Sequence, residues 1–91
     1  MLERKLRKDS TDVTFTLPAG VPPGPVSVVG DFNGWTPGTH ELKDRRGGVR
    51  AVTVSLPSGQ RHAFRYLAAG DHWFDDDTAD AHDGRNGHIH T

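Results

Sequence analysis

The chain is 91 residues long, 33% hydrophobic and 25% charged, with a formal net charge of −1 and no cysteine. That length bounds it to one small domain. No apolar run approaches the roughly 18 residues that span a bilayer, and so even a charge balance offers no field to attract nucleic acid.

Met1 to Lys8 holds Arg4, Lys5, Arg7 and Lys8 with no apolar segment behind it. It is expected to be a loosely held basic arm over residues 1–11, not a secretory signal. Asp12 to Leu17 alternates, with Val13, Phe15 and Leu17 on one face, the period of a half-buried strand. Pro18 to Pro25 contains four of the six prolines and two glycines, and reads as a loop. Val26 to Val29 is a short β-branched strand, broken by Gly30-Asp31-Phe32-Asn33-Gly34-Trp35 with its Asn-Gly turn chemistry. Thr36 to Gly48 is polar, with a brief extended piece near Leu42. Val49 to Leu56 is the longest strand, and Pro57-Ser58-Gly59 turns the chain into Arg61 to Ala69. There Phe64 and Tyr66 share one face while Arg65 and Leu67 share the other. Gly70-Asp71 is a turn, His72 to Phe74 a short strand, Asp75 to Gly87 an acidic turn-rich segment, and His88 to Thr91 a last strand.

No window shows an apolar period of 3.6 residues, so the pattern predicts an all-β sandwich of about seven short strands over residues 12–91. Phe32, Phe64 and Tyr66 are assigned to its core, and Asp31 to bonding the amides of its own turn.

Three ordered blocks tie this pattern to a known family. Val28-Val29-Gly30-Asp31-Phe32-Asn33-Gly34-Trp35 is the first. Leu56-Pro57-Ser58-Gly59 with Phe64-Arg65-Tyr66-Leu67, Gly70 and Trp73 is the second, and Asp83-Gly84-Arg85-Asn86-Gly87 the third. Together they resemble the family 48 carbohydrate-binding modules, the isoamylase-type early-set immunoglobulin-like domains, which are similar to the glycogen-binding domain of the AMP-activated kinase β subunit. The resemblance implies an immunoglobulin-like β-sandwich that binds α-1,4-glucan without catalysis. It implies a sugar site of Trp35, Arg65, Trp73 and Asn86. Two features differ from the family pattern: Arg65 stands where lysine is usual, and the hairpin Ala68-Ala69-Gly70-Asp71-His72 is one residue longer.

The residue types suit that ligand. A pyranose offers an apolar face of C–H groups and a rim of hydroxyls, so it calls for a flat hydrophobic plate and a few polar groups. Indole is the largest such plate. Arg65, between two core-facing rings, is expected to point outward and donate to hydroxyl oxygens, and Asn86 can both donate and accept. The alternative is an immunoglobulin-like interaction module that tethers or regulates an enzyme of glycogen metabolism without binding sugar.

Other chemistries find less support. Asp75-Asp76-Asp77 with Asp80 and Asp83 lacks the frame of a calcium loop and is expected to order turns. His82, His88 and His90 have no carboxylate or cysteine completing a zinc set. No nucleophile elbow, zinc-protease or P-loop motif is present, and a glycosidase carboxylate pair needs a cleft that so small a sandwich does not build. The domain is therefore expected to be no enzyme, to need no cofactor, to meet neither nucleic acid nor membrane, and, having no cysteine, to be cytoplasmic.

Overall fold

The computed structural model describes residues 2–20, 23–76 and 78–91. Met1 of the expected arm, Val21 and Pro22 of the proline-rich loop and Asp77 of the acidic segment lie outside the described residues. The strands are β1 Leu2–Leu6, β2 Ser10–Pro18, β3 Val26–Gly30, β4 Lys43–Arg45, β5 Val49–Pro57, β6 Arg61–Ala68, β7 His72–Phe74, β8 Ala81–His82 and β9 Gly87–His90, with a single 3₁₀ turn at Asp31–Asn33. No helix among the described residues is long and apolar enough to cross a membrane.

The strands form two antiparallel sheets, ordered β1-β2-β5-β4 and β3-β6-β9-β8, with β7 also paired to β6. The fold is all-β, an immunoglobulin-like sandwich. Alternation builds the layer between the sheets. Val13 and Phe15 of β2 lie opposite Val54 and Val52 of β5 in the first sheet. Val26 and Val28 of β3 lie opposite Ala68 and Tyr66 of β6 in the second. At the centre the rings of Phe15, Phe64 and Tyr66 are fully buried, with Phe15 edge-on to Phe64 at 5.3 Å and Phe64 edge-on to Tyr66 at 5.8 Å. Each such pair contributes about 1 kcal/mol beyond the area it buries.

The basic N-terminal stretch departs from the loose arm expected of it. It forms the edge strand β1, in register from Leu2 opposite Phe15 to Leu6 opposite Thr11. Few apolar residues drive this pairing. Leu2 packs on the core, Arg7 Nε donates to Asp12 at 2.6 Å, and Arg4 forms an ion pair with Asp80 across the sandwich edge. The extended piece expected near Leu42 lies just beyond it. Leu42 is buried and donates its amide to the Val26 carbonyl at 2.9 Å, while β4 itself is fully exposed.

Strand β6 organises the second sheet. One edge pairs with β3. The other is shared end to end by two strands: Arg61–Phe64 pairs with β9, and Tyr66–Ala68 pairs with β7. Arg65 sits where one partner ends and the other begins. The chain leaves the edge of β6 after Phe74 and rejoins it at Gly87, touching the sheet in between only as β8 beside β9, so the excursion of residues 75–86 starts and finishes beside Arg65.

Candidate functional site

The turn after β3 has a structural reason at almost every residue. A Cβ on Gly30 would lie 2.5 Å from the Ala63 carbonyl oxygen and from the Phe32 ring, so only glycine fits. Phe32 packs against the core and stacks on Phe15 at 6.1 Å. The Asn33 side chain closes the turn: its oxygen accepts from Gly30 N at 3.1 Å, and its nitrogen donates to the Val28 carbonyl at 3.1 Å. Gly34 takes the left-handed conformation with φ 64°. Asp31 does not bond its own turn's amides. Its carboxylate accepts from Ala63 N of β6 at 3.1 Å and faces Nδ1 of the buried His62 at 3.3 Å.

Trp35 has no such account. It too is left-handed, with φ 57°, a conformation that costs a bulky residue about 1–2 kcal/mol. Its amide is pinned to the Gly30 carbonyl at 2.9 Å. The residue is 38% exposed and, among the described residues, its ring stacks on no other ring. Strain of this kind at an exposed aromatic points to a function outside the core.

Arg65 points away from the core, on the opposite face of β6 from Phe64 and Tyr66. Its Nε donates to Asp75 at 3.1 Å, and its guanidinium lies 5.8 Å from the centre of the Trp73 ring. Trp73 pairs with Leu67 across the β6–β7 ladder and so shares this outer face. Trp73 as a residue is 39% exposed. The longer hairpin is a three-residue loop, Ala69 to Asp71, in which Gly70 and Asp71 are both left-handed, and it returns β7 in regular register.

The excursion is held at two points. In the first, Asp76 is buried; it accepts from the Tyr66 hydroxyl at 2.6 Å and from Thr78 N at 2.8 Å. Burial pushes the Asp76 pKa up, but the bonds from the Thr78 and Tyr66 hydroxyls outweigh it, and the net shift is downward. Near the second point Asp80 accepts from His90 N at 2.7 Å and pairs with Arg4. The second point itself is the turn Asp83–Asn86, closed by Asp83 N donating to the Asn86 carbonyl at 3.1 Å.

Trp35, Arg65 and Asn86 line one shallow recess of about 510 Å³, together with Asp75, Gly84 and Arg85. Of the four residues expected from the sequence, three are thus brought together. Trp73 does not line the recess; its ring lies 5.8 Å from the Arg65 guanidinium. Asp75, Gly84 and Arg85 are not among the residues expected in the site, although Gly84 and Arg85 precede Asn86 in the third block and Asp75 opens the acidic run. They reach the recess because the excursion leaves and rejoins the edge of β6 beside Arg65, and only the pairing register of β6 reveals that. Of the histidines weighed and discounted as metal ligands, His82, His88 and His90, the first meets the Asp76 carbonyl through Nε2 at 3.0 Å and the second meets Asp83 through Nε2 at 2.9 Å.

The recess therefore combines one exposed indole, two guanidinium groups, a carboxylate and a primary amide. Such a set can stack on an apolar ring face and exchange hydrogen bonds with a polar rim. Over 45 residues, 48% of this chain, the sequence is 40% identical to a 1,4-alpha-glucan branching enzyme, GlgB 2, of Xanthomonas campestris pv. campestris in strain 8004 and in strain ATCC 33913. The matched segment is 6% of the length of those enzymes. No family model matches the chain.

Proposed function

We propose that this domain binds α-1,4-glucan of the glycogen or starch type, non-covalently, on the outer face of the β6 sheet. Trp35 is the stacking plate of the recess. Arg65, Arg85 and Asn86 supply hydrogen bonds to the sugar rim, and Trp73 extends the apolar surface beside Arg65. The observation that supports this most is Trp35 itself, an exposed indole held in a strained conformation by a turn whose other residues all serve packing or bonding. Partial identity to glucan branching enzymes points to the same ligand class. The domain's role is recognition, not catalysis, and its setting is the cytoplasm.

An open recess buries only part of each sugar, so affinity is modest, with a dissociation constant on the order of 0.1 mM. Calorimetric titration with maltoheptaose and β-cyclodextrin tests the reading. Saturable binding that weakens about tenfold or more in Trp35→Ala is the expected result, with a smaller loss in Trp73→Ala. Absence of heat and of NMR shifts at millimolar glucan would sink it, and would favour a module that tethers a protein partner.

A further inference from the structure

We infer that Asp83 is a positioning residue of the glucan site, one that builds the wall presenting Arg85 and Asn86 to the recess. The inference rests on the glucan reading above. The Asp83 carboxylate makes three contacts that converge on this wall. Oδ1 accepts from the backbone amides of Arg85 at 2.8 Å and Asn86 at 2.7 Å. Oδ2 lies 2.9 Å from His88 Nε2. A carboxylate only accepts, so His88 donates its Nε2–H to Asp83. Nδ1 of the same ring is buried and meets no polar partner among the described residues, so Asp83 is the side-chain contact that orients the ring.

The arrangement is directional. His88 belongs to β9, opposite Ala63 of β6, so its position is fixed by the sheet. Asp83 transfers that fixed position to the two residues that follow it in the turn. With their backbone amides consumed, Arg85 and Asn86 are left to face the recess through their side chains. Among the described residues no protein group accepts from the Arg85 guanidinium or engages the Asn86 side-chain amide. Asp83 itself is not a lining residue of the recess, so it acts on sugar only through its neighbours. Preordering this turn removes an entropic cost from binding.

A double-mutant cycle on the whole chain, titrated with maltoheptaose, separates positioning from bulk stability. Asp83→Ala is expected to weaken binding about fivefold while shifting the unfolding midpoint by only a few degrees, because the turn is exposed. Asp83→Asn keeps an oxygen for the two amides and is expected to recover affinity to within about twofold of wild type. In an Asn86→Ala, Arg85→Ala background, Asp83→Ala is expected to change nothing further. Asp83→Ser, with a shorter acceptor, gives an intermediate loss and keeps the test open should Asp83→Ala unfold. Wild-type affinity in Asp83→Ala, or an undiminished loss in the double-alanine background, would overturn the positioning role alone. Failure of the wild type to bind glucan would overturn the glucan reading and this inference with it.

Discussion

Two turns wall the recess, and they are held by different physics. The turn at residues 30–35 is anchored from below: Gly30 leaves no room for a side chain, and Phe32 inserts against Phe15. The excursion of residues 75–86 is held chiefly by polar contacts, the carboxylates of Asp76, Asp80 and Asp83 and the short β8–β9 ladder, with Ala79 its one apolar contact to the core among the described residues. A packed turn resists small changes until it fails abruptly. A turn held by carboxylates is tunable by charge and pH. The recess joins a rigid plate to an adjustable polar rim.

The sharpest way to break the packed side is Gly30→Ala. The new methyl meets a backbone carbonyl that cannot retreat, and a loss of about 3 kcal/mol is expected in urea unfolding. On the polar side, Asp76→Ala removes the carboxylate that accepts from the buried Tyr66 hydroxyl and from Thr78. It should cost about 2 kcal/mol, with loss of glucan binding preceding global unfolding.

Acid sharpens the same contrast. The carboxyls of Asp76, Asp80 and Asp83 all have pKa values lowered in the folded state, Asp83 chiefly by the Asn86 amide and then His88. Groups with depressed folded values stabilise fully above the ordinary carboxylate pKa of about 4, and that contribution is lost as pH falls through the folded values. Amide protection at Asn86 and His90 is therefore expected to fall before protection at Trp35 as pH drops below about 4, measured by hydrogen exchange. Simultaneous loss would show one cooperative unit instead of two. The smallest effect is expected from Trp35→Gly. Relief of the left-handed strain offsets the lost ring contacts, so stability should stay within about 1 kcal/mol of wild type while glucan retention on an amylose column disappears.

The same difference decides what the sequence discloses. Gly30, Phe32 and Asn33 are legible because each has one job dictated by its side chain: no Cβ at Gly30, a ring at Phe32, an amide at Asn33; Asp31 is not, because its partners Ala63 and His62 lie on β6. The alternation of Val13-Phe15-Leu17 and Phe64-Tyr66 likewise points to strands, since a buried face leaves a period of two. β1 is not legible. Arg4 and Lys5 hide its alternation, and although it pairs with the neighbouring β2, the ion pair that fixes Arg4 is made with Asp80 at the far end of the chain. Within the excursion, Asp75, Asp76, Asp80 and Asp83 look alike in sequence and do four different things. Asp75 meets Arg65, Asp76 meets Tyr66, Asp80 meets Arg4 and the amide of His90, and Asp83 meets its own turn and His88. Nothing in a run of aspartates says which strand each one faces.

The divided edge of β6 has a consequence for engineering. β7 and β9 take their registers from β6 independently, one above Arg65 and one below it. The stretch between β7 and β8 and the turn between β8 and β9 can therefore vary in length with the β6–β7, β6–β9 and β8–β9 ladders intact. Such variation is expected to alter the breadth of the recess without altering the turn that carries Trp35. Loop length is thus the simplest handle on what the recess admits.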